Sequence, residues 1–379
     1  MSALATLRLA RPAVAAFAAM GVVWGSFAAD LPDIKLMLGV DEAQLGLLLF
    51  MSPIAAVAAM LIAPMAGGLF GRYALPISCG LMCLGFVLPG HASLALFPLA
   101  MMAAGAGTGL TDVLMNARVA AMENARAAPL MNLCHAAYSF GYAGGAIATG
   151  ALRQQGFGPP MVFAVMGCVA VLISAASFER DGRIDGLTRP KGTAAAKLGW
   201  LPFLGGAMVM VAFMTENAAE SWSALHIEKT LGGTATAGAM GPALMAMTMG
   251  VARLGGQGIA ARMPAMWLLT GGAAISAVGA LIAAGAINPA MAYVGFIIMG
   301  IGSSVIAPTA FSLVGQRAEP SARARAVARA TLFGYFGYFF GPPLVGLVAG
   351  HFGLRFAFVC AAVLLALVPI LARGLTRRN

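Results

Sequence analysis

The sequence predicts an all-α membrane protein of twelve transmembrane helices, arranged as two parallel six-helix halves. Three observations predict it: a composition too apolar for a water-soluble globule, apolar runs of bilayer-crossing length, and a motif repeated half a chain apart. Sixty per cent of the 379 residues are apolar and 9% are charged. A soluble domain carries about a quarter charged residues, because its surface must face water. The 49 glycines suit close helix packing in lipid, where burying apolar surface no longer drives association.

Apolar runs fall at 12–31, 44–64, 74–90, 93–122, 131–151, 159–177, 199–224, 237–260, 265–286, 289–316, 326–349 and 354–373. Each is long enough for a helix to cross a hydrocarbon core of about 30 Å. Connections are short except 178–198, "FERDGRIDGLTRPKGTAAAKL", which is charged and contains Gly and Pro. It reads as the linker between an N-terminal half, 1–177, and a C-terminal half, 199–379.

Basic residues test this topology. With the N-terminus cytoplasmic, the inner side holds Arg8, Arg11, Arg72, Arg126, Arg180, Arg183, Arg189, Lys191, Lys197, Arg262, Arg317, Arg323, Arg325, Arg329, Arg373, Arg377 and Arg378. The outer loops hold only Lys35, Arg153, Lys229 and Arg355, while Arg118 and Arg253 lie within helices. This asymmetry follows the positive-inside rule with both termini cytoplasmic in the inner (plasma) membrane. It also accounts for the net charge of +10 without nucleic acid. Arg8 and Arg11 before an apolar run could pass for a signal peptide. Its removal would leave an odd number of spans and destroy the charge alternation, so 12–31 is kept as the first helix.

The repeat pairs "GYAGGAIATG" from Gly141 with "GYFFGPPLVG" from Gly337. Gly141, Tyr142, Gly145 and Gly150 match Gly337, Tyr338, Gly341 and Gly346 at an offset of 196, so the fifth helix corresponds to the eleventh. Six helices return the chain to the same side, which makes the repeat parallel.

Such parallel repeats around a central loop resemble the major facilitator superfamily. "GAGTGLTDVLMNA" (105–117), "MNLCHAAYSFG" (131–141), "ENAAESW" (216–222) and "FGPPLVG" (340–346) resemble its fucose-permease-like branch of bacterial inner-membrane transporters. The resemblance covers essentially the whole chain. One departure concerns the loop after the second helix, which in the superfamily usually carries an aspartate that latches the inner side. Here "GGLFGRYAL" (67–75) keeps Arg72 without an acid, and "GGQGIAARMPA" (255–265) keeps Arg262 alone.

Ionisable groups inside a membrane are costly and normally face a cavity or a partner. Asp112 lies deep in the fourth helix with Asn116 one turn on. The pair reads either as a packing hydrogen bond or as a proton carrier, since desolvation favours a carboxyl's neutral form. The resemblance places its essential acid at Asp112 and a proton-coupling aspartate at Asp33, which with Asp30 otherwise reads as interfacial charge at the end of the first helix. Glu216 and Glu220 share one face of the seventh helix, with Trp222 nearby, and read as substrate or proton groups or as an external rim pair, the rim suiting Glu220 more. Asn132, His135, Tyr138, Ser139 and Tyr142 form a polar stripe expected to face a central cavity. His135 is a third candidate proton carrier, although a structural hydrogen bond suits it too. Arg118 reads as snorkelling to the interface, and Arg253 as a partner for Asp112 or an anionic substrate. Tyr338 belongs to an aromatic group that reads as core packing by default, with one or two rings stacking on a solute as the alternative, and Gly341-Pro342-Pro343 reads as a break at which the eleventh helix bends during alternating access.

The five cysteines show no metal spacing, and no nucleotide loop or catalytic triad occurs. The sequence therefore predicts no enzyme, cofactor or metal. It points to a monomer in the lipid bilayer whose partners are a small solute and protons. Symport of a sugar- or polyol-like solute is the leading expectation; export of amphipathic compounds, suggested by the 25 methionines, is the second. A receptor or scaffold is the third.

Overall fold

The computed structural model describes residues 3–126, 130–182, 184, 198–255, 262–319 and 322–376. Most of the expected linker, 178–198, and most of the 255–265 motif lie outside them. Among the described residues every regular element is helical. The chain runs through α1 (Ala3–Leu38), α2 (Glu42–Leu49), α3 (Met51–Phe70), α4 (Ala74–Val87), α5 (Phe97–Arg126), α6 (Met131–Gln154) and α7 (Pro159–Ser174). It continues through α8 (Leu201–Leu225), α9 (Ala235–Gly255), α10 (Ala265–Gly285), α11 (Pro289–Arg317), α12 (Arg323–Phe352), α13 (Leu354–Leu365) and α14 (Leu367–Thr376).

Ten of the described helical stretches are long and apolar enough to cross a membrane. The count differs from twelve for two physical reasons. Glu42–His91 scores as one stretch of 50 residues, although the chain turns within it at Gly71, whose φ of +53° favours glycine. Helix α6 is absent from the ten, because the polar stripe from Asn132 to Tyr142 and Arg153 lower its mean hydropathy.

The outer faces are apolar: Leu61 is 76% exposed, Leu172 75% and Ile287 80%. In water such a surface would aggregate; against acyl chains it is the expected coat. Inside, small residues bring backbones together. Gly141 and Gly145 of α6 abut the backbone of Ala18 and Val22 on α1, while Gly337 of α12 abuts Met210 on α8 and Gly341 abuts the Asn217 side chain. Two further contacts cross between the two sets. Gly150 of α6 meets Ala239 of α9, and Gly46 of α2 meets Pro342 of α12.

The expected break at Gly341-Pro342-Pro343 does not occur, because α12 is helical throughout Arg323–Phe352. Neighbouring helices tolerate a proline by supporting the local backbone, and here α2 and α8 flank the site at Gly46 and Asn217.

Candidate functional site

A cavity of about 310 Å³ lies among α1, α3, α5, α6, α8, α9 and α12. Its floor on α8 is acidic. Glu216 and Glu220 sit one helical turn apart and both line the cavity, so Glu220 is no rim residue. Glu216 is 2% exposed, and its Oε1 has no hydrogen-bond partner. Arg253 on α9 approaches it loosely: Nη2 lies 4.0 Å from Glu216 Oε2, and Nη1 donates to Ser139 Oγ at 3.5 Å. The Glu216–Arg253 separation is the outer limit of an ion pair.

Asp112 on α5 is tied differently. Tyr335 of α12 donates its hydroxyl to Oδ2 at 2.6 Å, and Asn116 Nδ2 donates to Oδ1 at 3.1 Å. The expected Asp112–Arg253 pair is replaced by Glu216–Arg253. Asn116 is therefore a support behind Asp112 and does not line the cavity. The remaining walls are aromatic and sulfur-rich. Trp24 donates its indole N–H to Thr108 Oγ1 at 3.1 Å, Phe213 stacks on Tyr338 at 4.6 Å between centroids, and His135 meets the Phe17 ring edge-on. Tyr142 donates to the Glu220 carbonyl at 3.4 Å.

A second charged cluster closes the end of the bundle remote from the termini. Arg153 at the end of α6 donates to both Asp33 oxygens at 2.8 Å, to both Glu228 oxygens at 2.7 and 2.9 Å, and to the Ala29 carbonyl at 2.7 Å. Its Nε lies 3.3 Å from Asp30, which is fully buried. Asp33, expected as a proton-coupling residue, is thus held by Arg153 outside the cavity lining, and Asp30 is no interfacial charge. At the opposite end Arg118 pairs with Glu179 at 2.6 Å instead of snorkelling, and Arg72 turns to the Tyr73 hydroxyl.

A family model described as the Major Facilitator Superfamily matches residues 13–321 and 207–379. The chain belongs to the major facilitator superfamily. Its members are transporters, not enzymes. An uncharacterised MFS-type transporter of Yersinia pestis is 30% identical over 366 residues, covering 96% of this chain and 94% of the relative. Among solved structures, the nucleoside transporter NupG superposes with a TM-score of 0.77 at 12% identity, covering 98% of this chain and all of that one. The fucose:proton symporter FucP of E. coli superposes at 0.64 and 16% identity, covering 98% and 99%. These structures share the fold, and at such identities nothing finer passes between them.

In this facilitator, the sequence-expected residues Asp112, His135, Tyr138, Ser139, Tyr142, Glu216, Glu220, Arg253, Tyr338 and Pro342 converge on the cavity. Besides Asn116 and Asp33, three others do not. Asn132 is exposed one turn before the stripe enters the bundle. Trp222 is fully buried in the packed core, and Gly341 abuts Asn217. Sequence reasoning missed Tyr335 as the partner of Asp112, along with Trp24, Phe213 and the role of Arg153. Arg153 carried one signal: it is a basic residue on the side where basic residues are scarce.

Proposed function

We propose that this transporter is a proton-coupled symporter of a small polar solute, of the fucose-permease-like branch. It works by alternating access between two six-helix halves joined by 178–198. Counting Glu42–His91 as two crossings and adding α6 gives twelve spans. The orientation has both termini cytoplasmic in the inner membrane, and the protein acts as a monomer. Labelling introduced cysteines tests that orientation: positions 155 and 229 report outside and 190 inside, and the reverse pattern overturns it.

The observation that carries the reading is the Tyr335–Asp112 hydrogen bond, which joins α5 to α12 across the cavity. A carboxylate accepts from Tyr335, whereas a protonated carboxyl can itself donate, so charge at Asp112 bears on the contact between the halves. Coupling requires a group that changes charge between the two faces; exchange requires only the rocking motion. Asp112→Asn therefore abolishes uphill accumulation of a labelled solute while leaving counterflow. Wild-type accumulation in this variant would pass the coupling role to His135, Asp33 or Glu216.

Export of amphipathic compounds is the second reading, and one observation favours it. Met20, Met60, Met101, Met115 and Met249 line the cavity with Phe17, Phe27 and Phe213, an adaptable apolar wall. Extrusion of a labelled amphiphile from energised cells, without uptake of polar solutes, would select it.

A further inference from the structure

The cavity lining contains three carboxyl groups, at Asp112, Glu216 and Glu220, against one guanidinium, at Arg253. Their surroundings differ. Asp112 already accepts two side-chain hydrogen bonds. Glu216 has Arg253 at 4.0 Å and one buried oxygen without a partner. Among the described residues, no side-chain donor reaches the Glu220 carboxylate within hydrogen-bond or ion-pair distance. A buried polar atom left unmatched is costly, and an unsatisfied oxygen in the wall of a cavity is satisfied by what enters it.

The walls beside these two glutamates are aromatic. Tyr138 from α6 and Tyr338 from α12 line the same cavity as Glu216 and Glu220, and Phe213 stacks on Tyr338. Aromatic faces attract cations through their quadrupoles, most strongly where water is excluded. A carboxylate floor between tyrosine walls is thus complementary to an ammonium group. A neutral hydroxyl could bond to one oxygen, but it would bring no charge to the Glu220 carboxyl, which has no ion-pair partner among the described residues as Glu216 has in Arg253.

We propose that the solute carried in this cavity is an organic cation, with a protonated or quaternary amine held by Glu216 and Glu220 between Tyr138 and Tyr338. This inference rests on the cavity being the substrate site and narrows the polar solute to a charged class. Arg253 disfavours a second positive charge beside Glu216 and points to a monovalent cation.

Purified full-length protein in detergent, probed by thermal shift, tests it with two pairs of equal shape: choline against 3,3-dimethylbutan-1-ol, and glucosamine against glucose. At a pH where the amines are charged, at least one cation gives saturable stabilisation with a midpoint about tenfold below its neutral partner. Glu216→Gln and Glu220→Gln each reduce that preference, and Asn132→Ala, outside the cavity, leaves it intact. Glu220 is less buried, so Glu220→Gln keeps the comparison available if Glu216→Gln does not fold. Equal or tighter binding of a neutral partner overturns the charge class while leaving the transport reading in place. Absence of saturable binding by either cation, or a preference that survives both substitutions, overturns it as well.

Discussion

At the end remote from the termini, one arginine sits among three carboxyl groups; in the cavity, another arginine sits among three more. The inventories match, yet the geometries diverge. Arg153 holds Asp33 and Glu228 through both oxygens of each at 2.7 to 2.9 Å, with the Ala29 carbonyl as a fifth contact. Arg253 reaches Glu216 only at 4.0 Å and Ser139 at 3.5 Å. Short bidentate contacts are the stronger, more directional form of charge pairing, so the remote cluster saturates Asp33 and Glu228, while buried Asp30 keeps a 3.3 Å ion pair and no hydrogen bond. The cluster fastens α1 and α6 to the residues that follow α8. The cavity cluster has no such bidentate pair, and the difference separates charges that hold helices together from charges left open to a ligand.

The largest expected effect breaks the fastener. Arg153→Gln leaves Asp30, Asp33 and Glu228 without their cation, and removing one partner of a buried charge cluster costs about 3–5 kcal/mol. Thermal unfolding in detergent should show a correspondingly large drop. Adding Asp30→Asn, Asp33→Asn and Glu228→Gln to Arg153→Gln should recover most of it, because the penalty comes from uncompensated charge. A loss as large in the fourfold variant would mean that packing, not charge, holds this end.

The smallest effect sharpens the contrast from the cavity side. Tyr335→Phe removes one charge-assisted hydrogen bond to Asp112, worth about 1.5–3 kcal/mol at most, and the cavity offers other donors. Unfolding should therefore shift less than in Arg153→Gln, while the ratio of uphill accumulation to counterflow falls. An unchanged ratio would confine Tyr335 to packing.

What the sequence made legible follows from the range of the signal. Helical spacing marked the stripe His135, Tyr138, Ser139 and Tyr142, and the i,i+4 rule paired Glu216 with Glu220, because both are local. The depth of Asp112 was likewise readable from its apolar flanks. Partners could not be read this way. Tyr335 lies 223 residues from Asp112, and Arg153 lies 120 from Asp33 and 75 from Glu228; one sequence carries no signal at those separations. Arg253 read as a partner for Asp112 or an anionic substrate, and its proximity to Glu216 was hidden for the same reason. Asn132 shows the limit of periodicity: it has the right helical phase, but it lies one turn before the stripe enters the bundle.

The glycines of α1 carry a consequence for how this protein could be retuned. Gly21 lies against the backbone carbonyl of Tyr138, and Gly25 against that of Tyr142. A methyl group at either position would meet main chain, which cannot swing aside as a flexible side chain can. It would push on the stretch of α6 that carries the two tyrosines. The aromatic wall is therefore registered from behind, like type held in a frame. Altering positions 21 or 25 would shift that wall without touching a residue that faces the solute.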